Sequence, residues 1–111
     1  MKLKVILAGI ALLASTSSMA AHQWIPWGKV KQVYVNSLQN ALFIKMEAET
    51  INPEGCPKGN DFYAVPFDDP KFDSYVSILL AAKATDTLTS LYIYGCDPKS
   101  GRGKVSAARI Q

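Results

Sequence analysis

Asp69-Pro70-Lys71-Phe72-Asp73-Ser74-Tyr75-Val76-Ser77-Ile78-Leu79-Leu80-Ala81-Ala82-Lys83-Ala84 decides how this chain is read. Phe72, Tyr75, Val76, Leu79 and Leu80 fall at i, i+3, i+4, i+7 and i+8, the apolar stripe of a helix laid on a core. Proline is tolerated at the first helical position, where its missing N–H costs nothing, and the Asp69 carboxylate before it is placed to cap orphan amides. The spacing predicts a helix over Pro70–Ala84. Its other side, Ser74, Ser77, Ile78, Ala81 and Ala82, is small or apolar where charges are ordinary. That face is either weakly solvated or covered by another surface.

Working outward, the rest of the chain has a period of two rather than 3.6. Ala41 to Glu49 alternates most cleanly, with Leu42, Ile44, Met46 and Ala48 on one face and Phe43, Lys45, Glu47 and Glu49 on the other. Upstream, Lys29 to Asn36 carries Val30 out of phase with Val33 and Val35, which predicts a strand with a bulge or bend; Leu38 to Asn40 then turns the chain. Pro53, Gly55, Pro57 and Gly59 forbid regular structure between Asn52 and Asn60. Asp61 to Phe67 is a short third strand, Leu88 to Tyr94 a fourth and Lys104 to Ile110 a fifth of weaker pattern. The loop Gly95 to Gly103 lies between the last two, and its Asp97-Pro98-Lys99-Ser100-Gly101 has turn chemistry.

Three strands, a helix and two strands is the element order of the OB-fold, a five-stranded Greek-key barrel with its helix between strands three and four. A bent first strand belongs to such a barrel, because that strand serves both halves of it. The expected fold class is therefore all-β with one helix. In this barrel the second-to-third and fourth-to-fifth loops emerge on one rim. Cys56 sits in the former and Cys96 in the latter, and they are the two cysteines of the chain. With no histidine near them and no Cys-x-x-Cys spacing, neither zinc nor redox chemistry fits, and one disulfide is expected.

The compartment supports that expectation. Lys2 and Lys4, the apolar run Val5 to Ala14 and the small, polar Ser15 to Ala21 read as an export signal at 1–20, cleaved after Ala20, ahead of one OB-like domain at 21–111. A bilayer-spanning helix needs about 20 apolar residues, so no integral membrane anchor is expected. Of 111 residues, 12 are Lys or Arg and 9 Asp or Glu. Losing Lys2 and Lys4 leaves ten basic residues against nine acidic, a net charge of +1. That balance lacks the summed positive field that nucleic-acid binding needs.

The Trp24 and Trp27 start, the strand Phe43 to Glu47, the loop Gly55-Cys56-Pro57, the helix Tyr75 to Lys83 with Leu80-Ala81-Ala82-Lys83-Ala84, and Tyr92-Ile93-Tyr94-Gly95-Cys96 together resemble small exported bacterial OB-fold proteins. In layout the chain is similar to the B subunits of subtilase-cytotoxin type and related pentameric toxins. The resemblance covers most of the chain after the signal and implies a ring-forming, glycan-binding subunit without catalysis of its own. It carries no glycan-contact residue over to this sequence.

Candidate sites follow from residue chemistry. The one histidine, His22, stands next to the expected cleavage site, so no nucleophilic triad is expected, and a terminal copper site would lack its second histidine. No catalytic residue, metal ligand set or cofactor is therefore assigned. Asp68 and Asp69 read as helix capping, and Glu47 and Glu49 as a solvated face. Lys58, Lys99, Arg102 and Lys104 are gathered onto one rim by the expected disulfide; they read either as ordinary soluble loop cations or as a recognition site for an acidic ligand. Trp24, Trp27, Tyr92 and Tyr94, with Phe43 and Tyr63, read as packing or as flat faces for stacking against sugar rings. Ser74, Ser77, Ile78 and Ala81 are the candidate face for a homo-oligomer, a pentamer in the toxin-like reading. The expected function is a non-catalytic exported module that binds a glycan. The alternative is a monomeric periplasmic protein that meets a protein partner or anionic ligand through the basic rim. Exported protein is expected to begin at Ala21; intact-mass measurement checks this, and retention of residues 1–20 would contradict it.

Overall fold

The computed structural model describes residues 22–111; the export signal read at 1–20 lies outside the described residues. In chain order the elements are β1 (Gln23–Trp24), β2 (Val30–Asn36), β3 (Ala41–Met46), β4 (Tyr63–Pro66), α1 (Phe72–Thr85), β5 (Thr89–Cys96) and β6 (Gly103–Ile110). The structure is mostly β with one helix and one disulfide. Its six strands form one sheet in the order β1-β5-β6-β4-β3-β2. Neighbours are antiparallel except β4 and β6, which run parallel through Tyr63 opposite Gly103 and Ala64 opposite Lys104. A parallel contact needs a long crossover, here supplied by α1 and β5.

Two expectations about the sheet are corrected. It has six strands rather than five, and it is not closed: β1 and β2 are its two edges. The additional strand exists because Pro26 interrupts the chain ahead of β2. The piece upstream of that proline, Gln23–Trp24, pairs with Ile93 and Tyr92 of β5. Beyond it Gly28 and Thr89 exchange backbone hydrogen bonds of 3.0 and 2.7 Å. The out-of-phase Val30 is resolved as read: the β2–β3 register shifts between Val30 and Gln32. β6 carries a second irregularity. Its register shifts so that Ile93 faces Val105 while Tyr92 faces Ala107, which leaves Ser106 over. Val105 and Ala108, which strict alternation would put on opposite faces, consequently share the core side.

The helix is shifted slightly from its predicted span. The Asp69 carboxylate accepts the Lys71 amide at 2.8 Å in a turn ahead of α1, while Lys71, at the N-cap, makes no side-chain capping bond. Tyr75, Leu79 and Ala82 are the buried stripe, flanked by Phe72 and Val76. Leu80 is not part of it and is 53% exposed. Asp86 ends the helix in the left-handed region, φ 57°, with its N–H on the Ala82 carbonyl.

Side-chain alternation builds two cores. The main one lies between the sheet and α1 and holds Leu42, Ile44 and Met46 of β3 with Tyr63, Val65, Leu91, Ile93 and Val105. On the opposite face of β3, Phe43 is fully buried with Ala41 and Ala64, under Tyr34 and Phe62. Buried phenols need a partner, and Tyr63 accepts the Ile51 amide at 2.9 Å.

The disulfide is formed as expected: Cys56 and Cys96 are bonded, with Cα atoms 5.7 Å apart. Local chemistry delivers both cysteines. Asn52 accepts the Cys56 amide at 2.8 Å and donates to its carbonyl at 2.9 Å, shaping the proline-rich loop into a knuckle. On the other side Gly95 takes φ +78°, a conformation L side chains rarely adopt, and turns β5 so that Cys96 faces that knuckle. The closed loop is worth about 4 kcal/mol in the chain-entropy description. The Cys56→Ser/Cys96→Ser variant is expected to melt more than about 10 °C below the parent in calorimetry; equal melting would show the bridge to be dispensable.

Candidate functional site

Where β4 meets β6, the segments leaving the strands enclose a cleft of about 520 Å³. Gln39 and Asn40 come from the β2–β3 turn, Pro66, Phe67 and Asp68 from the end of β4, Asp97, Pro98 and Lys99 from the β5–β6 loop, and Lys104 from β6. Each wall has a local cause. Asn36 closes the β2–β3 turn by accepting the Leu38 and Gln39 amides at 3.0 and 3.2 Å. Asn40 follows at φ 53°, a left-handed conformation that asparagine tolerates better than most residues. In the orientation that satisfies both ends of its amide, Asn40 Nδ2 donates to the Ser37 carbonyl at 3.0 Å and Oδ1 accepts from Lys99 Nζ at 2.9 Å. The predicted turn at Asp97 is present: its buried carboxylate accepts the Ser100 hydroxyl at 2.6 Å, and its carbonyl accepts the Gly101 amide at 2.8 Å.

The disulfide does draw the two loops together, and the Lys58 amide donates to the Gly101 carbonyl at 2.8 Å. The four predicted rim cations nevertheless divide. Lys99 and Lys104 line the cleft. Lys58 is exposed, with its stem beside Gly101. Arg102 turns inward: its side chain is only 12% exposed, and Nε and Nη2 fork onto Asp61 Oδ1 and Oδ2 at 2.8 and 3.0 Å. Nη1 donates to Gln39 Oε1 at 3.2 Å and to the Ser100 carbonyl at 3.4 Å. The guanidinium carbon lies 4.5 Å from the Phe43 ring centroid and 5.9 Å from that of Phe62. Arg102 therefore caps the second core and braces Gln39, and its charge is neutralised rather than offered to a ligand.

The predicted aromatics divide in the same way. Phe43 and Tyr63 are buried and present no face to a ligand. Trp24, Trp27 and Tyr94 are exposed and Tyr92 half-buried, on the β1–β5–β6 part of the sheet and outside the residues that line the cleft. His22 stacks on Tyr94 with ring centroids 4.0 Å apart, and its Nδ1 lies 3.0 Å from Glu54 Oε2. On α1, Ser74, Ser77 and Ala81 are exposed and Ile78 is half-buried. Asp68, read as helix capping, lines the cleft instead, and Gln39, Asn40 and Phe67 were not singled out as site residues; turn-forming Asn40 was the one visible signal among these three, since the other two are brought in by tertiary pairing.

Among the described residues no group of three or more His, Cys, Asp or Glu side chains is arranged to hold a metal ion, and no helix is long and apolar enough to cross a membrane. Compared with protein-family models, curated proteins and solved structures, the chain matches none.

Two carboxylates outside the cleft lining, Asp61 and Glu54, are held below their ordinary values. The Arg102 fork lowers Asp61 from 3.8, and the Gly95 amide and then His22 lower Glu54 from 4.5. A lowered carboxylate contributes stability that is present above its unfolded value and is lost as pH falls through its folded one. Acid should therefore loosen the fold below about pH 4, and Asp61→Asn should flatten that part of the profile in melting scans. Arg102→Ala is expected to cost about 2 kcal/mol at neutral pH. A loss below about 0.5 kcal/mol, within the range of an ordinary surface substitution, would contradict the brace.

Proposed function

We propose that this is an exported, non-catalytic binding module whose cleft between Asn40 and Lys104 takes an acidic glycan. The cleft's composition is the observation that carries the reading. The Gln39 N–H group and the carboxylate of Asp68 suit sugar hydroxyls, Pro66, Phe67 and Pro98 offer apolar wall, and Lys99 and Lys104 favour a negative substituent, the Asp97 carboxylate in the same wall being taken up by Ser100. Its volume of about 520 Å³ is that of a small-ligand site. The Cys56–Cys96 bridge supports an oxidising compartment. Binding rather than chemistry is favoured because His22, paired with Glu54, has no hydroxyl or thiol nucleophile hydrogen-bonded to it among the described residues.

The fold reading behind this is an OB-type core of β2 to β6, with β1 extending the β5 edge. Its support is the order β2-β3-β4-β6-β5, the parallel β4–β6 contact and the bulge at the start of β2. The toxin-like reading adds self-association through the outer face of α1, where exposed Leu80 stands near Ser74, Ser77, Ile78 and Ala81.

A glycan array on the purified chain, followed by calorimetry on any hit, tests the reading. Lys99→Glu/Lys104→Glu should weaken acidic-glycan binding by about tenfold or more, while Lys31→Glu on exposed β2 leaves it unchanged. Absence of any acidic-glycan hit, or equal loss in both variants, would overturn it. Light scattering should find a defined oligomer that Leu80→Glu dissociates; a strict monomer at high micromolar concentration would remove the ring from the proposal.

A further inference from the structure

The outer face of the β1–β5–β6 sheet carries a second cluster, independent of the cleft. Its register leaves room for large rings: Trp24 lies opposite Tyr92, Tyr92 opposite Ala107, and Arg109 opposite Ser90. Small Ala107 and Ser90 thus separate the bulky residues, and Ser90 Oγ is spent on the Ile25 carbonyl at 2.6 Å. Trp24 and Tyr92 have ring centroids 5.3 Å apart. The Arg109 guanidinium carbon sits 3.9 Å from the Trp24 ring centroid and 4.6 Å from that of Trp27. The indoles are 36% and 38% exposed, but a cation already occupies the faces a sugar ring would use.

Arg102 provides the comparison within the same molecule. Both arginines place the guanidinium carbon within about 6 Å of two aromatic ring centroids, and a guanidinium in contact with rings can still hydrogen-bond through its N–H edge. Around Arg102 that edge is filled by the Asp61 carboxylate, by Gln39 and by the Ser100 carbonyl. Around Arg109 it is not. The ion pairs among the described residues are His22–Glu54, Lys29–Asp86 and Arg102–Asp61, and no acceptor among those residues hydrogen-bonds the Arg109 guanidinium. An exposed arginine immobilised by two indoles has already given up much of the side-chain freedom that binding would otherwise remove.

We propose that Arg109, held by Trp24 and Trp27, is a binding site for the carboxylate of an external ligand, a carboxylated sugar. The carboxylate accepts two parallel N–H bonds from Arg109 as Asp61 does from Arg102, and recognition rests on that fork, because the guanidinium already covers the indole faces.

Trp24 and Trp27 are the two tryptophans of the chain, so fluorescence excited selectively at tryptophan reports on this cluster alone. Sodium glucuronate, titrated into the full mature chain at constant ionic strength, should produce a saturable change that glucose and inorganic phosphate do not reproduce. Arg109→Gln should weaken it by about tenfold or more, and Arg109→Lys, which keeps the charge but not the fork, should lose most of the response as well. Lys99→Glu/Lys104→Glu should leave the titration unchanged, which separates this site from the cleft. Indole N–H and arginine Nε–H shifts in the unmodified protein provide the same reading without a variant. No saturable change, an equal response to glucose or phosphate, or a response that survives Arg109→Gln or disappears with the cleft variant would overturn the proposal.

Discussion

Two residue pairs, Tyr63 with Gly103 and Ala64 with Lys104, join the antiparallel group β2-β3-β4 to the antiparallel group β6-β5-β1. So short a parallel contact does not hold a sheet together by itself, because each backbone hydrogen bond contributes only about 1 kcal/mol net. The surroundings reinforce it from several directions. The disulfide ties the loop before β4 to the end of β5, the Lys58 amide reaches Gly101, and Arg102 just before β6 grips Asp61 just before β4. α1 packs on β2, β4 and β6 and so spans both groups from the other side. Close approach also sets residue identity: a Cβ on Gly103 would sit 3.0 Å from Ile93 Cγ2.

The cleft is a consequence of that seam. Its walls come from both groups, with Pro66–Asp68 continuing β4 and Lys104 lying on β6, so its shape depends on the two staying in register. Arg102 links the seam to the cleft directly, because the guanidinium that pairs with Asp61 also holds Gln39 on the cleft wall. The aromatic cluster around Arg109 lies wholly within the other group, on β1 and β6 with Trp27 between β1 and β2. The two proposed binding surfaces thus rest on different parts of one scaffold.

Much of the scaffold was legible because it is written locally. The helix, the phase slip at Val30, the turn before Ala41 and the loop position of Cys56 each depend on neighbours within a few residues; Cys96, read as a loop residue, ends β5 instead. What escaped depends on distant partners. β1 is two residues long and stands before Pro26, too short for any period to register. The bulge at Ser106 exists only relative to β5. Arg102 and Arg109 are indistinguishable as sequence, both basic residues near small ones, yet one is neutralised by a residue 41 positions away and the other lies on two tryptophans. Charge type alone therefore does not separate a paired arginine such as Arg102 from an exposed one such as Arg109.

Cross-strand proton contacts in nuclear magnetic resonance test the seam most directly. The account predicts backbone contacts between Tyr63 and Gly103 and between Ala64 and Lys104, in the pattern of parallel strands. Contacts between β4 and β6 in an antiparallel pattern or another register, or none between them at all, would contradict it.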